Sequence, residues 1–185
     1  MARTPSNMLA LGTKAPNFEL HDTVTDRTFN LEDLKGPNGT LIMFICNHCP
    51  FVKHINAEIS KLGKEYQAKG IGVLAISSND AENYPDDRPE LMKENAQEQH
   101  FTFPYLYDED QTVAKAYDAA CTPDFFLFNS DSELVYRGQL DDSRPENGKP
   151  VTGKDLRNAL EALLKGKQIT GVQKPSIGCN IKWKK

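Results

Sequence analysis

The sequence predicts a single α/β domain: a central mixed β-sheet flanked by helices, with a β-hairpin ahead of it. Three observations predict this. Two uninterrupted apolar runs, Leu41–Ile45 and Ile71–Ile76, have the length and composition of strands buried on both faces. The segment between them, from Pro50 to Lys69, has helical length, so the unit reads strand–helix–strand. Two later strand patterns, Phe125–Phe128 and Leu134–Arg137, are joined by the turn-like Asn129–Ser132 and read as an antiparallel hairpin. The 185 residues suit one domain with a real hydrophobic core, and residues 167–185 read as an extended C-terminal tail.

In chain order, Asn17–Leu20 and Arg27–Asn30 alternate apolar and polar residues around the turn-like Asp22–Asp26 and form the leading hairpin. Leu31 to Lys35 is a short helical turn ended by Gly36 and Pro37. Thr40 to Ile45 is the first buried strand. Pro50 then opens a helix that Gly70 closes. Pro89 suits the first position of another helix, running to about His100, and Asp110 to Ala119 reads as a shorter one. Asp141, Asp142, Ser143 and Arg144 read as a solvated turn with an internal ion pair. Thr152 and Asp155 have capping-box spacing and open a last helix, with Leu156, Leu160, Leu163 and Leu164 as its apolar set and Gly166 at its end. Lys53 and His54 read as a solvated helix face.

The chain is 38% hydrophobic and 26% charged, with a net charge of −4. Its pI of about 5.6 leaves no global positive field for nucleic acid or anionic lipid. No apolar stretch approaches the roughly 20 residues needed to cross a bilayer. The N-terminal stretch from Met1 to Gly12 lacks the apolar region of a secretory signal. These features predict a cytoplasmic protein with no membrane and no nucleic-acid partner. Cysteines in a reducing compartment more often do catalysis or bind metal than form a framework. Structural zinc sites use two close pairs. Only Cys46 and Cys49 are close here, so no metal is expected.

Cys46-Asn47-His48-Cys49 stands at the junction of the first buried strand and the first long helix. Unpaired N–H groups and the helix dipole put partial positive charge at a helix start. A thiol there ionises more easily, and the thiolate is the reactive form. The spacing is one helical turn, so the two sulfurs can close a disulfide. Cys46 is expected to be the attacking nucleophile, with a pKa below the ordinary value of about 8.5, and Cys49 the resolving thiol. His48 is expected to stabilise the thiolate.

Further motifs surround this dithiol: Ala15–Phe18, Phe44–His54, Cys121–Phe128, Arg137–Pro145 and Pro175–Trp183. Together they resemble the redoxin (AhpC/TSA-type) branch of the thioredoxin superfamily, in particular peroxiredoxin-like proteins with a thioredoxin-style Cys-x-x-Cys. The resemblance covers nearly the whole chain, from Gly12 to Trp183. It implies a thioredoxin-like fold and a thiol–disulfide oxidoreductase. It also implies that Pro123 is cis, facing the dithiol, and that Thr122 presents backbone groups to an incoming substrate. The chain departs from its relatives in several places. Aligned with peroxiredoxins, Cys49 takes the peroxide-attacking position, but Cys46 replaces the Thr/Ser and Ile42 the Pro. The peroxiredoxin arginine falls near Thr122-Pro123 and is absent. The acid beneath the thioredoxin dithiol aligns with Thr40.

The expected activity is therefore thiol–disulfide oxidoreduction by Cys46 and Cys49, with His48 assisting. Substrates would be protein or small-molecule disulfides, and an external thiol would supply electrons without a cofactor. Two alternatives stand beside it: a thiol peroxidase in which Cys49 attacks peroxide, and a redox sensor whose partner affinity changes on oxidation. Cys121 and Cys179 are candidate additional thiols. Cys121 otherwise packs as a small hydrophobe. Cys179 lies in a tail that Ile181 and Trp183 are expected to anchor.

Overall fold

The two apolar runs become adjacent parallel strands at the centre of the sheet. The computed structural model describes residues 3–185; Met1 and Ala2, which begin the N-terminal stretch considered above, lie outside the described residues. The elements are β1 (Arg3–Pro5), β2 (Glu19–Asp22), β3 (Arg27–Asn30), α1 (Leu31–Leu34), β4 (Gly39–Phe44), α2 (Pro50–Gln67), β5 (Ile71–Ser77), α3 (Pro89–Glu98), β6 (Tyr105–Tyr107), α4 (Thr112–Ala116), β7 (Cys121–Thr122), β8 (Asp124–Phe128), β9 (Leu134–Gly138), α5 (Lys154–Leu164) and β10 (Ile177–Asn180). The main sheet has the order β3-β2-β6-β5-β4-β8-β9, and a smaller one has the order β1-β10-β7. β4 runs parallel to β5 from Gly39↔Ile71 to Phe44↔Ile76, and β5 parallel to β6. β8 pairs antiparallel with both β4 and β9, so the sheet is mixed.

Strand alternation explains why β4 reads as an unbroken apolar run. Leu41, Met43 and Ile45 face one core, with Ile55, Ile59, Leu62 and Tyr66 of α2 and Leu156, Ala159 and Leu160 of α5. Ile42 and Phe44 face the other, with Leu31, Val113, Ala114, Tyr117 and Phe126. A strand covered on both sides has no polar face to display. α2 buries a stripe at three- and four-residue steps. It is tied to α5 by Arg157, which donates to Glu58 at 2.7 Å and to Glu65 at 2.6 Å. Beyond the helix, Gly70 adopts φ +80°, a conformation that favours glycine.

Several expectations are corrected. Thr152 and Asp155 do not form a capping box. The residue before α5 is Gly153 at φ +65°, with no side-chain cap. The amides of Thr152 and Gly153 instead donate to Asp141 Oδ2 at 2.6 and 2.7 Å. The Asp141–Arg144 loop is accordingly not a solvated turn: Asp141 and Ser143 are buried. Arg144 makes no internal ion pair there and donates to the carbonyls of Asp141 and Ser143. His54 is not simply solvated, because its Nε2 lies 2.7 Å from Ser143 Oγ. The tail is more than extended chain, since β10 sits between β1 and β7. Ile181 anchors it, buried and donating its amide to the Ala120 carbonyl at 3.1 Å. Trp183 does not bury, being 41% exposed under Lys115. Strands β1, β6, β7 and β10 carry no periodicity long enough to be read from sequence.

Candidate active site

The Cys-x-x-Cys occupies the turn between β4 and α2. Cys49 is the residue just before the helix, and its carbonyl accepts from the amides of Val52 and Lys53 at 3.1 and 3.0 Å. β8 lies beside β4 with Asp124 opposite Phe44, which brings Thr122 and the cis Pro123 against the dithiol. Thr122 Oγ1 is 3.3 Å from Cys46 Sγ, and the Thr122 carbonyl oxygen is 3.3 Å from Cys49 Sγ. Cys179 arrives on β10, paired across from Thr122, with its sulfur 2.8 Å from Cys49 Sγ. Cys46 and Cys49 are 1% and 0% exposed. The structure thus joins Cys46, His48, Cys49, Thr122, Pro123 and Cys179 in one place. Cys121 packs apart from it, its sulfur 3.7 Å from the Pro123 carbonyl oxygen.

One functional residue, Asp87, has no local signal in the sequence. It lies in the single turn of 3₁₀ helix Pro85–Asp87 and is fully buried. Its Oδ1 accepts from the amides of Asn47 and His48 at 2.7 and 3.2 Å. Its Oδ2 lies 2.5 Å from His48 Nδ1 and accepts from Asn79 Nδ2 at 2.8 Å. Tyr84 stacks on His48 with ring centroids 5.5 Å apart, and Tyr105 donates its hydroxyl to Asn47 Oδ1 at 3.1 Å. The Asn47-His48 pair is therefore held from outside the motif. The acidic pair Asp86-Asp87 ahead of the helix proline is visible in the sequence, but its burial depends on the tertiary path. Ligand atoms of Cys46, His48 and Asp87 lie within 4.8 Å of one another. Each oxygen of Asp87 already takes two contacts from protein donors, so the cluster reads as a hydrogen-bond network.

The thiols of the pair interact and shift in opposite directions. Cys49 is lowered, because the Cys179 and Cys46 thiols both hydrogen-bond to its sulfur and the Val52 amide adds to them, outweighing burial. Cys46 is raised well above the ordinary thiol range by the hydrogen bond it gives Cys49, by burial, and by the nearby Asp87 charge. Cys179 is raised by its bond to Cys49 and by burial. The backbone gives an independent reason: the two amides following Cys46 are directed to Asp87 rather than to its sulfur. The three thiols thus interact, with ionisation drawn toward Cys49 and away from Cys46, the opposite direction to the depressed Cys46 expected from the sequence. Burial alone raises the Asp87 pKa, but the bonds from His48 and Asn79 overcome it and hold the carboxyl below its usual range.

Asp87→Asn keeps an acceptor for the two amides and removes the charge. The Cys46 titration, followed by the pH dependence of its alkylation in mapped peptides, should move to lower pH. Asp87→Ala removes the acceptor as well and should cost about 1–3 kcal/mol of stability in urea unfolding. An unmoved thiol titration in Asp87→Asn would show that this charge does not reach Cys46.

Comparison with known proteins bears on the family and the fold. The AhpC/TSA family profile matches residues 11–137. A crystal structure described as an uncharacterized conserved protein from Geobacillus kaustophilus is 58% identical. It superposes with a TM-score of 0.98, covering 100% of this chain and 97% of that one. A hypothetical protein from Sinorhizobium meliloti 1021 is 49% identical with a TM-score of 0.95, covering 98% of each chain. Among curated proteins, the thiol-disulfide oxidoreductase ResA of Halalkalibacterium halodurans is 27% identical over 125 residues. That match covers 67% of this chain and 65% of the relative. The fold is the thioredoxin fold.

Proposed function

The chain belongs to the AhpC/TSA family, and on that premise we propose that it is a thiol–disulfide oxidoreductase in which Cys49 is the attacking sulfur. The observation that carries the reading is the thiol cluster at the turn into α2, where Cys49 Sγ lies 2.8 Å from Cys179 Sγ of β10 and Cys46 Sγ lies 3.3 Å from the Thr122 hydroxyl, with Cys49 the thiol shifted toward ionisation. Cys49 also takes the attacking position in the peroxiredoxin resemblance. Its thiolate attacks one sulfur of a substrate disulfide; that S–S bond breaks, and the other sulfur leaves as a thiolate that takes a proton. Cys46 then gives up its proton and attacks Cys49 Sγ. The substrate's second sulfur leaves, and a Cys46–Cys49 disulfide remains. An external thiol reductant restores the dithiol by the same exchange in reverse. The residue before the cis proline, Thr122, keeps its hydroxyl within reach of Cys46 Sγ as that thiol ionises. Protein or small-molecule disulfides are the proposed substrates. A cytoplasmic location is part of the proposal, on the sequence spacing of the cysteines, one close pair and two distant ones rather than a paired framework, and cell fractionation tests it.

The test is peptide mapping of the thiols across a series of glutathione potentials, together with turnover of a generic disulfide. A two-electron transition linking Cys46 to Cys49 is expected. Equal alkylation of both thiols after strong oxidation overturns the reading. Peroxide chemistry should be slow by comparison. Positioned donors at a reacting oxygen are worth on the order of 10²–10³ in rate in a protease case. Here Cys46 replaces the threonine of the peroxidases. Stopped-flow oxidation of Cys49 by hydrogen peroxide should run near the rate of an unassisted thiolate, and Cys46→Thr is the comparison. A wild-type rate approaching that of a dedicated peroxidase would transfer the assignment to peroxide reduction.

A further inference from the structure

The mechanism above uses Cys179 only as a hydrogen-bond partner of the reactive sulfur and gives it no covalent step. β10 is hydrogen-bonded on both sides, with Cys179 opposite Arg3 of β1 and opposite Thr122 of β7. Its backbone lies directly against the cis-proline segment. A Cβ added to Gly178 would sit 1.9 Å from the Thr122 carbonyl oxygen and 3.1 Å from Pro123 Cδ, so only glycine fits there. The edge at Thr122 that would meet an incoming peptide is occupied by the chain's own strand. The next residue along that strand sets its sulfur 2.8 Å from Cys49 Sγ, against about 2.0 Å for a formed disulfide. Cys49 Sγ is in hydrogen-bond contact with Cys179 and also interacts with Cys46, so it is the middle sulfur of three. Thiol–disulfide exchange needs that arrangement: an attacking sulfur, a central one, and a leaving one.

We propose that Cys179 is a third redox thiol, which takes Cys49 from the Cys46–Cys49 disulfide so that the chain alternates between two internal disulfides. The step rests on the oxidoreductase reading, which supplies the first disulfide. Cys179 gives up its proton and attacks Cys49 Sγ. The Cys49–Cys179 bond forms as the Cys46–Cys49 bond breaks, and the electron pair leaves on Cys46. The Thr122 hydroxyl, 3.3 Å from Cys46 Sγ, donates to the departing thiolate. The proton released by Cys179 ends on Cys46. One disulfide is present before and after, so no external oxidant or reductant is consumed. In the second state β10, already paired along Thr122, is also covalently fixed to the residue before α2. An external thiol attacking Cys179 or Cys49 breaks that bond.

The experiment oxidises wild type, Cys46→Ser, Cys46→Ala and Cys179→Ser with oxidised glutathione, alkylates the remaining thiols, and maps unreduced peptides. In both Cys46 variants, most of the protein should carry Cys49 joined to Cys179. Wild type should show that species as a minor one beside Cys46–Cys49, and Cys179→Ser should lose it alone. A glutathione adduct on Cys49 with Cys179 alkylated in both Cys46 variants, and no such link in wild type, overturns the proposal. The oxidoreductase reading fails on a different result, the absence of a Cys46–Cys49 link from wild type and Cys179→Ser.

Discussion

Cys49→Ser should reduce disulfide turnover by about 10³-fold or more, the scale seen when a nucleophile is removed from a catalytic unit. The same substitution should remove the thiolate absorbance that wild type retains in mild acid. The sign follows from the direction of the shift. A lowered pKa means that Cys49 stays ionised as pH falls below the range where an ordinary thiol of about 8.5 takes its proton. Between about pH 8 and pH 5, an ordinary thiol loses nearly 10³ of its ionised fraction. The rate of attack by Cys49 on a small disulfide should fall only a few-fold over that span. Cys46→Ser, by contrast, should leave that first attack in place and slow only the release of the bound thiol. If instead Cys46→Ser abolishes the acid-resistant thiolate and Cys49→Ser preserves it, the roles return to the order expected from the sequence alone.

Local features of the chain were readable, and features that depend on the tertiary path were not. The strand–helix–strand unit around the dithiol is legible because β4 and β5 are buried on both faces and so contain no polar interruption. The cis state of Pro123 and its place beside the cysteines came with the family resemblance, and the structure agrees. The directions in which Cys46 and Cys49 shift were not legible, because they depend on the Asp87 carboxylate and the Cys179 thiol, which come from elsewhere in the chain. Cys49 is the residue adjoining the helix, and the amides that follow Cys46 are taken by Asp87. Asp87 and Cys179 reach the site from 3₁₀ and tail segments with no sequence period. The nearness of Cys179 to Cys49 depends on a four-residue strand paired on both edges. The capping-box spacing at Thr152 misled for a related reason: a buried carboxylate from a distant loop, Asp141, reaches the helix start first.

Asp124 should set the pH dependence of stability, and Asp124→Asn should raise stability in neutral and alkaline solution. The carboxylate is 0% exposed at the start of β8, immediately after the cis proline. By strand alternation it faces the same core as Phe126 and Phe128. Neither of its oxygens closes a hydrogen bond. Burial pushes its pKa up to about 7; the Ser6 hydroxyl and the amides of Ala120 and Phe125 relieve it only weakly, and the Asp118 charge adds repulsion. In the unfolded chain the same group titrates near 3.9. The folded state therefore holds a proton that the unfolded state has released across the interval from about pH 4 to pH 7. Stability from this group is present in acid, is lost as pH rises through that interval, and is flat above it. Roughly three pKa units correspond to about 4 kcal/mol at most, and relaxation around the charge brings the expected gain for Asp124→Asn to about 2–4 kcal/mol at pH 8. At pH 4 the variant should differ little from wild type, because both then carry a neutral group. Cys49 contributes with the opposite sign, since its lowered pKa adds stability that is lost toward acid. The variant-minus-wild-type difference in urea unfolding removes that shared term. A difference that does not change between the two pH values would mean that Asp124 is not ionised by burial-limited titration in this interval.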